Sequence, residues 1–278
     1  MKQKERAYSI ALASAFIIFS IFVSSAESSP IGNDPHNFTV PEISSGAGDP
    51  SDDQILFYEV SSEETVTATE SIQVAVPKII EKRITTSKSE QHAPVIYGNK
   101  IVWEDNRNGN WDIYMYDLST NKETKITTKS SDQNSPDIYS NRVVWIDTRE
   151  RDIDYSIYMI DLSTKKQTEI ANGYLDSPAI YNNFIIYNSF LGDWFVDLYD
   201  ISTKKVTTIS SPQILSTDPT VYGNKIVWCS DYFDGALDVY MYDLSTKKET
   251  RISTSGSAAN PAIYGNRIVW EDHRNGNP

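Results

Sequence analysis

Aromatic side chains set beside carboxylates are the residues of this chain best suited to chemistry. Trp111, Asp112, Asp154, Tyr155, Trp194, Tyr232 and Phe233 fall in stretches between apolar runs, together with Asp105, Arg107, Asp152, Phe190, Asp231 and Asp234. Aromatic faces stack on sugar rings or partner side chains, while carboxylates and amides bond hydroxyls. The chemistry this favours is recognition of a protein or a glycan, and the first seven residues are its candidate ligand-binding set. A second reading is a secreted glycan-active hydrolase or lyase working through paired carboxylates. Asp137, Asp176 and Asp218 are the carboxylates available to it. Calcium fits less well. In the acidic stretch Asp105 to Asp112, Arg107 stands where an oxygen ligand is wanted, and Gly109 is fifth rather than sixth. His36, His92 and His273 lack metal-ligand spacing, and the lone Cys229 has no histidine near it in sequence. No catalytic residue and no cofactor is assigned.

The elements that must position these side chains are repeats. The stretch beginning at Pro94 recurs from Pro136, Pro178, Pro219 and Pro261, at steps of 42, 42, 41 and 42 residues. An aromatic follows each proline nine residues later, at Trp103, Trp145, Tyr187, Trp228 and Trp270. Each repeat reads as four short strands. A Pro-x-Ile-Tyr strand leads to a Gly-Asn hairpin turn (Gly98-Asn99, Gly223-Asn224, Gly265-Asn266). The second strand, Lys-Ile-Val-Trp, is apolar on both faces, as a sheet sandwiched between two others requires. The third, Asp112 to Asp117, is strongly β-prone, and Asp-Leu-Ser-Thr then makes a side-chain-bonded turn at Asp117, Asp161, Asp200 and Asp243. The fourth, Glu123 to Thr128, is polar and suits an outer edge. A period near 42 built this way predicts an all-β β-propeller of four-stranded blades.

Both ends of the repeat region are half-repeats. The fifth repeat reaches Pro278 after its second strand, and Ser71 to Thr86 aligns without a gap to Ile113 through Thr128. The expectation is five blades, the last closed by N- and C-terminal strands. The alternative is part of a six- or seven-bladed ring. The turns hardly vary between repeats, whereas the second-to-third-strand loops vary in length and sequence, so specificity is expected on the loop face.

Lys2, Lys4 and Arg6 precede an uncharged run, Ala7 to Val23, with small residues at Ser24 and Ala26. Residues 1–26 therefore read as a secretory signal peptide, with no membrane span after cleavage and an uncleaved anchor as the alternative. Residues 27–70 contain ten acidic residues and no Lys or Arg and read as an acidic flexible linker. Asn37-Phe38-Thr39 is a glycosylation sequon at Asn37. The propeller takes residues 71–278. Its share of the chain's net charge of −13 is mild, and without a basic patch in the sequence no nucleic-acid partner is expected. A secreted or cell-surface monomer is the expected form.

Trp-Glu-Asp-Asn-Arg-Asn-Gly-Asn-Trp-Asp-Ile-Tyr-Met-Tyr-Asp, from Trp103, resembles the TolB-type, WD-like propeller repeat: a strand, then Asp-x-Arg-x-Gly, then an Ile-Tyr strand ending in Asp. It is especially similar to propeller repeats in surface proteins of methanogenic archaea. The resemblance covers Ser71 to Pro278 and implies an exported scaffold for protein or glycan contacts without assigned catalysis. The phrase is intact at Asp105-Arg107-Gly109, partial at Asp147-Arg149 and at Asp272-Arg274-Gly276, of which only the latter keeps the spacing to Gly, and lacks its Arg near Asn188 and Asp231.

Overall fold

The computed structural model describes residues 56–61, 78–148, 155–213, 215–231 and 235–274. Residues 1–26, read above as a signal peptide, and Asn37 lie outside them. Every repeat folds as an antiparallel meander. Blade I is β3 (Gln91–Tyr97), β4 (Lys100–Asp105), β5 (Asp112–Asp117) and β6 (Lys122–Lys125). Blade II is β7 (Gln133–Tyr139), β8 (Arg142–Asp147), β9 (Tyr155–Asp161) and β10 (Lys166–Gly173). Blade III is β11 (Leu175–Tyr181), β12 (Phe184–Phe190), β13 (Trp194–Asp200) and β14 (Lys205–Thr208). Blade IV is β15 (Leu215–Tyr222), β16 (Lys225–Asp231), β17 (Asp238–Asp243) and β18 (Lys248–Arg251). Before them β1 (Leu56–Ser61) pairs with β2 (Lys78–Arg83), and after them β19 (Ala258–Tyr264) pairs with β20 (Arg267–Asp272). The chain is an all-β propeller of four-stranded blades.

The core lies between blades, where the second strands bury both faces. Val102, Ile113 and Met115 of blade I meet Ile138, Val143, Trp145 and Leu162 of blade II, and the other junctions repeat the pattern. Trp103, Trp145 and Trp228 are fully buried and stack on the opposite Tyr114, Tyr158 and Tyr240 with centroids 6.1, 6.1 and 6.2 Å apart. Truncating such a tryptophan typically costs about 3–5 kcal/mol. The fourth strands of blades I, III and IV are shorter than the sequence suggests, four residues each. At Ile126 the chain turns back to Ile113, whose carbonyl accepts from Ile126 N at 2.8 Å while Thr127 Oγ1 accepts from Ile113 N at 2.9 Å.

First strands begin three residues earlier than the Pro-x-Ile-Tyr reading, four in β15, and carry a bulge before each proline. Ala93, Ser135, Ser177, Asp218 and Asn260 there hold φ between 48° and 53°. The turns behave as read: Gly98, Gly223 and Gly265 have φ of 56°, 60° and 59°. In each outer turn an aspartate caps the backbone, as where Asp117 Oδ1 accepts from Ser119 N at 2.9 Å and Thr120 N at 3.2 Å.

The end pieces differ from expectation in one respect. β2 takes its partner from Leu56–Ser61, inside the stretch read as linker. The segment first matched to a third strand, Ser71 to Val76, lies outside the described residues. The reason is local: Leu56-Phe57-Tyr58-Glu59-Val60 is the most β-prone run of that acidic stretch. Ile84 then packs on Ile101, Trp103, Tyr114 and Tyr116 of blade I, just as Ile126 packs on blade II. β19–β20 packs through Ala258, Ile268 and Trp270 on Cys229 and Val239 of blade IV. These two hairpins are separate sheets, and no ladder joins β20 to β1 among the described residues. Val269 of β20 is 54% exposed, whereas its counterparts Val102, Val144 and Val227 are fully buried.

Candidate functional site

An antiparallel meander puts the second-to-third-strand loops and the blade-to-blade connections on one face. Four aromatics converge there at the junction of blades II and III. Tyr155 opens β9, Tyr174 joins β10 to β11, Phe190 ends β12 and Trp194 opens β13. Tyr174 lies 6.0 Å from Tyr155, 5.7 Å from Phe190 and 5.6 Å from Trp194, centroid to centroid, and Phe190 lies 5.4 Å from Trp194. Phe190 and Trp194 face each other in the ladder across a three-residue loop, which Gly192 closes with φ 101° and Leu191 N closes by donating to Asp193 O at 3.0 Å. Tyr174 is 45% exposed, Phe190 39% and Leu191 84%. A contiguous exposed patch of aromatic side chains of this kind is a candidate recognition surface. Its base is rigid. Trp194 exchanges backbone bonds with Gln213 at 2.9 and 3.1 Å, and the buried Gln213 accepts a bond from Ser230 Oγ.

The structure thus brings together Tyr155 and Trp194 from the candidate set, and adds Tyr174, which sequence reasoning missed. Trp111 sits apart, half-buried, its ring stacked on His92 at 4.7 Å and its backbone tied to Asp132 and Gln133. Asp112 corrects the reading as a ligand group. It is fully buried, paired with Lys125 Nζ at 2.7 Å and accepting from Asn108 Nδ2 at 3.0 Å, because the first residue of β5 points into the blade. Asp154, Tyr232 and Phe233 lie outside the described residues.

The Asp-x-Arg-x-Gly phrase is a clasp within blade I. Asp105 Oδ1 accepts from Arg107 N and Nε, both at 2.9 Å, and from Ser89 Oγ at 2.9 Å. The Arg107 guanidinium also reaches Glu123 at 2.5 Å and lies 4.1 Å from the centroid of the Tyr114 ring. Burial alone would push the Asp105 carboxyl up, but the bonds from Arg107, Ser89 and Trp103 outweigh it and hold it below the usual carboxylate range. The carboxylates at both ends of the stretch considered for calcium are therefore ion-paired, with Arg107 and Lys125. Among the described residues no cluster of three or more His, Cys, Asp or Glu is placed to hold a metal. Cys229 is buried, and burial pushes its thiol up, away from nucleophilic use.

The innermost strands carry one unusual carboxylate. Asp137 accepts from Ile138 N at 2.8 Å and, across the blade junction, from Ile180 N at 2.7 Å. Burial raises its pKa to about 7 despite those bonds. Glu104 of blade I likewise accepts from Ser135 N of blade II at 2.6 Å, and burial raises it too. At the next junction Asn188 and Ser216 exchange bonds of 3.3 and 2.8 Å. These groups are struts between neighbouring blades.

No protein-family model matches the chain, and no curated protein does either. Solved structures do. TolB from Acinetobacter baumannii is similar with a TM-score of 0.54 at 19% identity, over 70% of this chain and 55% of that one. A TolB from Agrobacterium tumefaciens follows at TM-score 0.51 and 17% identity, over 62% and 68%. An oligogalacturonate lyase in complex with manganese has TM-score 0.51 and 14% identity, over 62% and 55%. The chain spans about half the length of the first and third of these. At such identities the likeness concerns the fold alone, and that fold is a TolB-type β-propeller.

Proposed function

We propose that this propeller is an exported, non-catalytic binding or structural module of the cell surface, whose loop face engages a protein or a glycan. The observation that carries the reading is the patch of Tyr155, Tyr174, Phe190 and Trp194 with Leu191 beside it, exposed on strands anchored by the inter-blade core. Two-torsion aromatics offer large contact area at low entropic cost, which is what a recognition surface on a stiff scaffold uses. The leader in residues 1–26, the sequon at Asn37 and the resemblance to archaeal surface repeats support the location. The alternative, a glycan-active enzyme with channel carboxylates, draws on Asp137. Both of its oxygens accept backbone N–H groups, which favours a strut over an acid or base.

A polysaccharide and surface-protein panel, scored for both retention and product release, separates the two. The binding reading predicts retention without release, and Trp194→Ala weakens that retention by at least about tenfold, or ~1.4 kcal/mol, with an unchanged melting temperature. Release of shortened glycan would overturn it.

A further inference from the structure

The opposite face of the propeller has a chemistry of its own. There the inner and outer turns of each blade are tied together, as Leu118 N donates to Asn99 O at 2.7 Å and Leu162 N to Asn141 O at 2.7 Å. One tyrosine per repeat ends the innermost strand, and the five form an unbroken arc. Centroids are 4.7 Å apart for Tyr97–Tyr139 and Tyr139–Tyr181, 5.2 Å for Tyr181–Tyr222 and 4.9 Å for Tyr222–Tyr264. Around this phenolic hub stands a rim of cations. The outer turns carry the exposed pairs Lys165–Lys166, Lys204–Lys205 and Lys247–Lys248, with Lys122 in blade I. The residue that follows the inner turn and opens the second strand adds Lys100, Arg142, Lys225 and Arg267 in four repeats, blade III having Phe184 there. Against these eleven cations the described turns hold only the four capping aspartates, a surplus of seven positive charges among the described turn residues in a domain that is acidic as a whole.

Two details mark the rim as more than chance. Lys165, Lys204 and Lys247 occupy left-handed backbone positions with φ of 60°, 58° and 55°, where blade I has the better suited Asn121. Lysine thus recurs, in three blades, at a backbone conformation that favours Asn or Gly. Between blades II and III, hub and rim also meet in a polar depression of about 300 Å³ lined by Tyr139, Asn141, Arg142, Asp161, Asn182 and Asn183. Arg142 is held there by Asn182 O at 3.1 Å and Asn183 Oδ1 at 3.2 Å.

We propose that this turn face binds an acidic polysaccharide, its carboxylates on the lysine rim and at Arg142 and its sugar rings against the tyrosine hub. Aromatic rings stack on the apolar faces of sugars, and guanidinium and ammonium groups take the carboxylates. The cations encircle a hub instead of forming a stripe, so they do not follow the paired phosphate strands of a duplex. The site is independent of the loop-face patch, and it replaces the sequence-level expectation that no basic surface exists: cations scattered through turns 40 residues apart become one rim only when the blades assemble.

The test is retention of the full chain on alginate at about 50 mM salt, where phosphate- or carboxylate-driven binding is strong, followed by a salt titration. Dextran, single-stranded DNA and phosphatidylglycerol vesicles serve as comparisons. We expect binding to alginate and not to dextran, weakening steeply with salt. Changing Lys165, Lys166, Lys204 and Lys205 together to Glu should lower affinity at least tenfold without lowering the melting temperature, since all four are exposed. Arg142→Gln should lower it several-fold, and Trp194→Ala should leave it unchanged. Failure to bind alginate, an unaffected quadruple variant, or tighter binding to DNA or vesicles than to alginate would each overturn the proposal.

Discussion

Asp105 and Asp137 meet opposite fates although both are carboxylates drawn into the fold. Asp105 is held below its usual range by Arg107, so its contribution is present above the unfolded-state pKa and is lost as pH falls. Asp137 is raised to about 7, so its folded form binds the proton more tightly than the unfolded chain does. Stability therefore declines as pH rises from about 4 to about 7 through this group, and is flat above. Asp137→Asn removes that term. The melting temperature of the variant relative to the parent should climb between pH about 4 and about 7 and then level off, which thermal melts across that range would show; a constant difference would contradict the assignment. At this scale the sequence was only partly legible. The aromatic content of the loops pointed to Tyr155 and Trp194, but alternation hid Asp112, which faces inward as the first residue of its strand. Tyr174 escaped because it belongs to a connection with no matching column in the other repeats, β10 running on to Gly173 where the other outer strands stop earlier.

Strands and turns were far more legible, because each is written several times. Five copies of a proline, a hairpin turn and an apolar second strand, with four of an Asp-Leu/Ile-Ser-Thr turn, leave little freedom in strand number or order. The bulge before each proline was not legible, since a residue preceding proline is ordinarily pushed to extended backbone. Here Ser135 and Ser177 hold positive φ instead, Ser135 N donating to Glu104 of the neighbouring blade and Ser177 N to Asp176 just before it in its own strand. The half-blades carry a sharper consequence. The faces of β8 and β16 are covered on both sides, whereas β20 exposes Val269 and shares no ladder with β1. Hydrogen–deuterium exchange should therefore find the amides of Ile268 to Trp270 exchanging at least about a hundredfold faster than those of Ile226 to Trp228. Equal protection would mean that the two hairpins join into a closed blade.

As a whole molecule the propeller is a disc with two chemically distinct faces held apart by one inter-blade core. Variable loops gather aromatics on one face, and near-invariant turns gather cations and tyrosines on the other. No helix among the described residues is long and apolar enough to cross a membrane. Neither face was visible as a surface in the sequence, because each is assembled from residues about one repeat apart. The central claim is that the loop face is a recognition surface. Residue-resolved covalent footprinting of the whole chain, with and without a neutral glycan or a protein retained from the panel, tests it most directly. Protection is expected at Tyr155, Tyr174, Phe190, Leu191 and Trp194, with Tyr97 on the far face unchanged. Unchanged labelling at those five positions, with protection elsewhere, would contradict it.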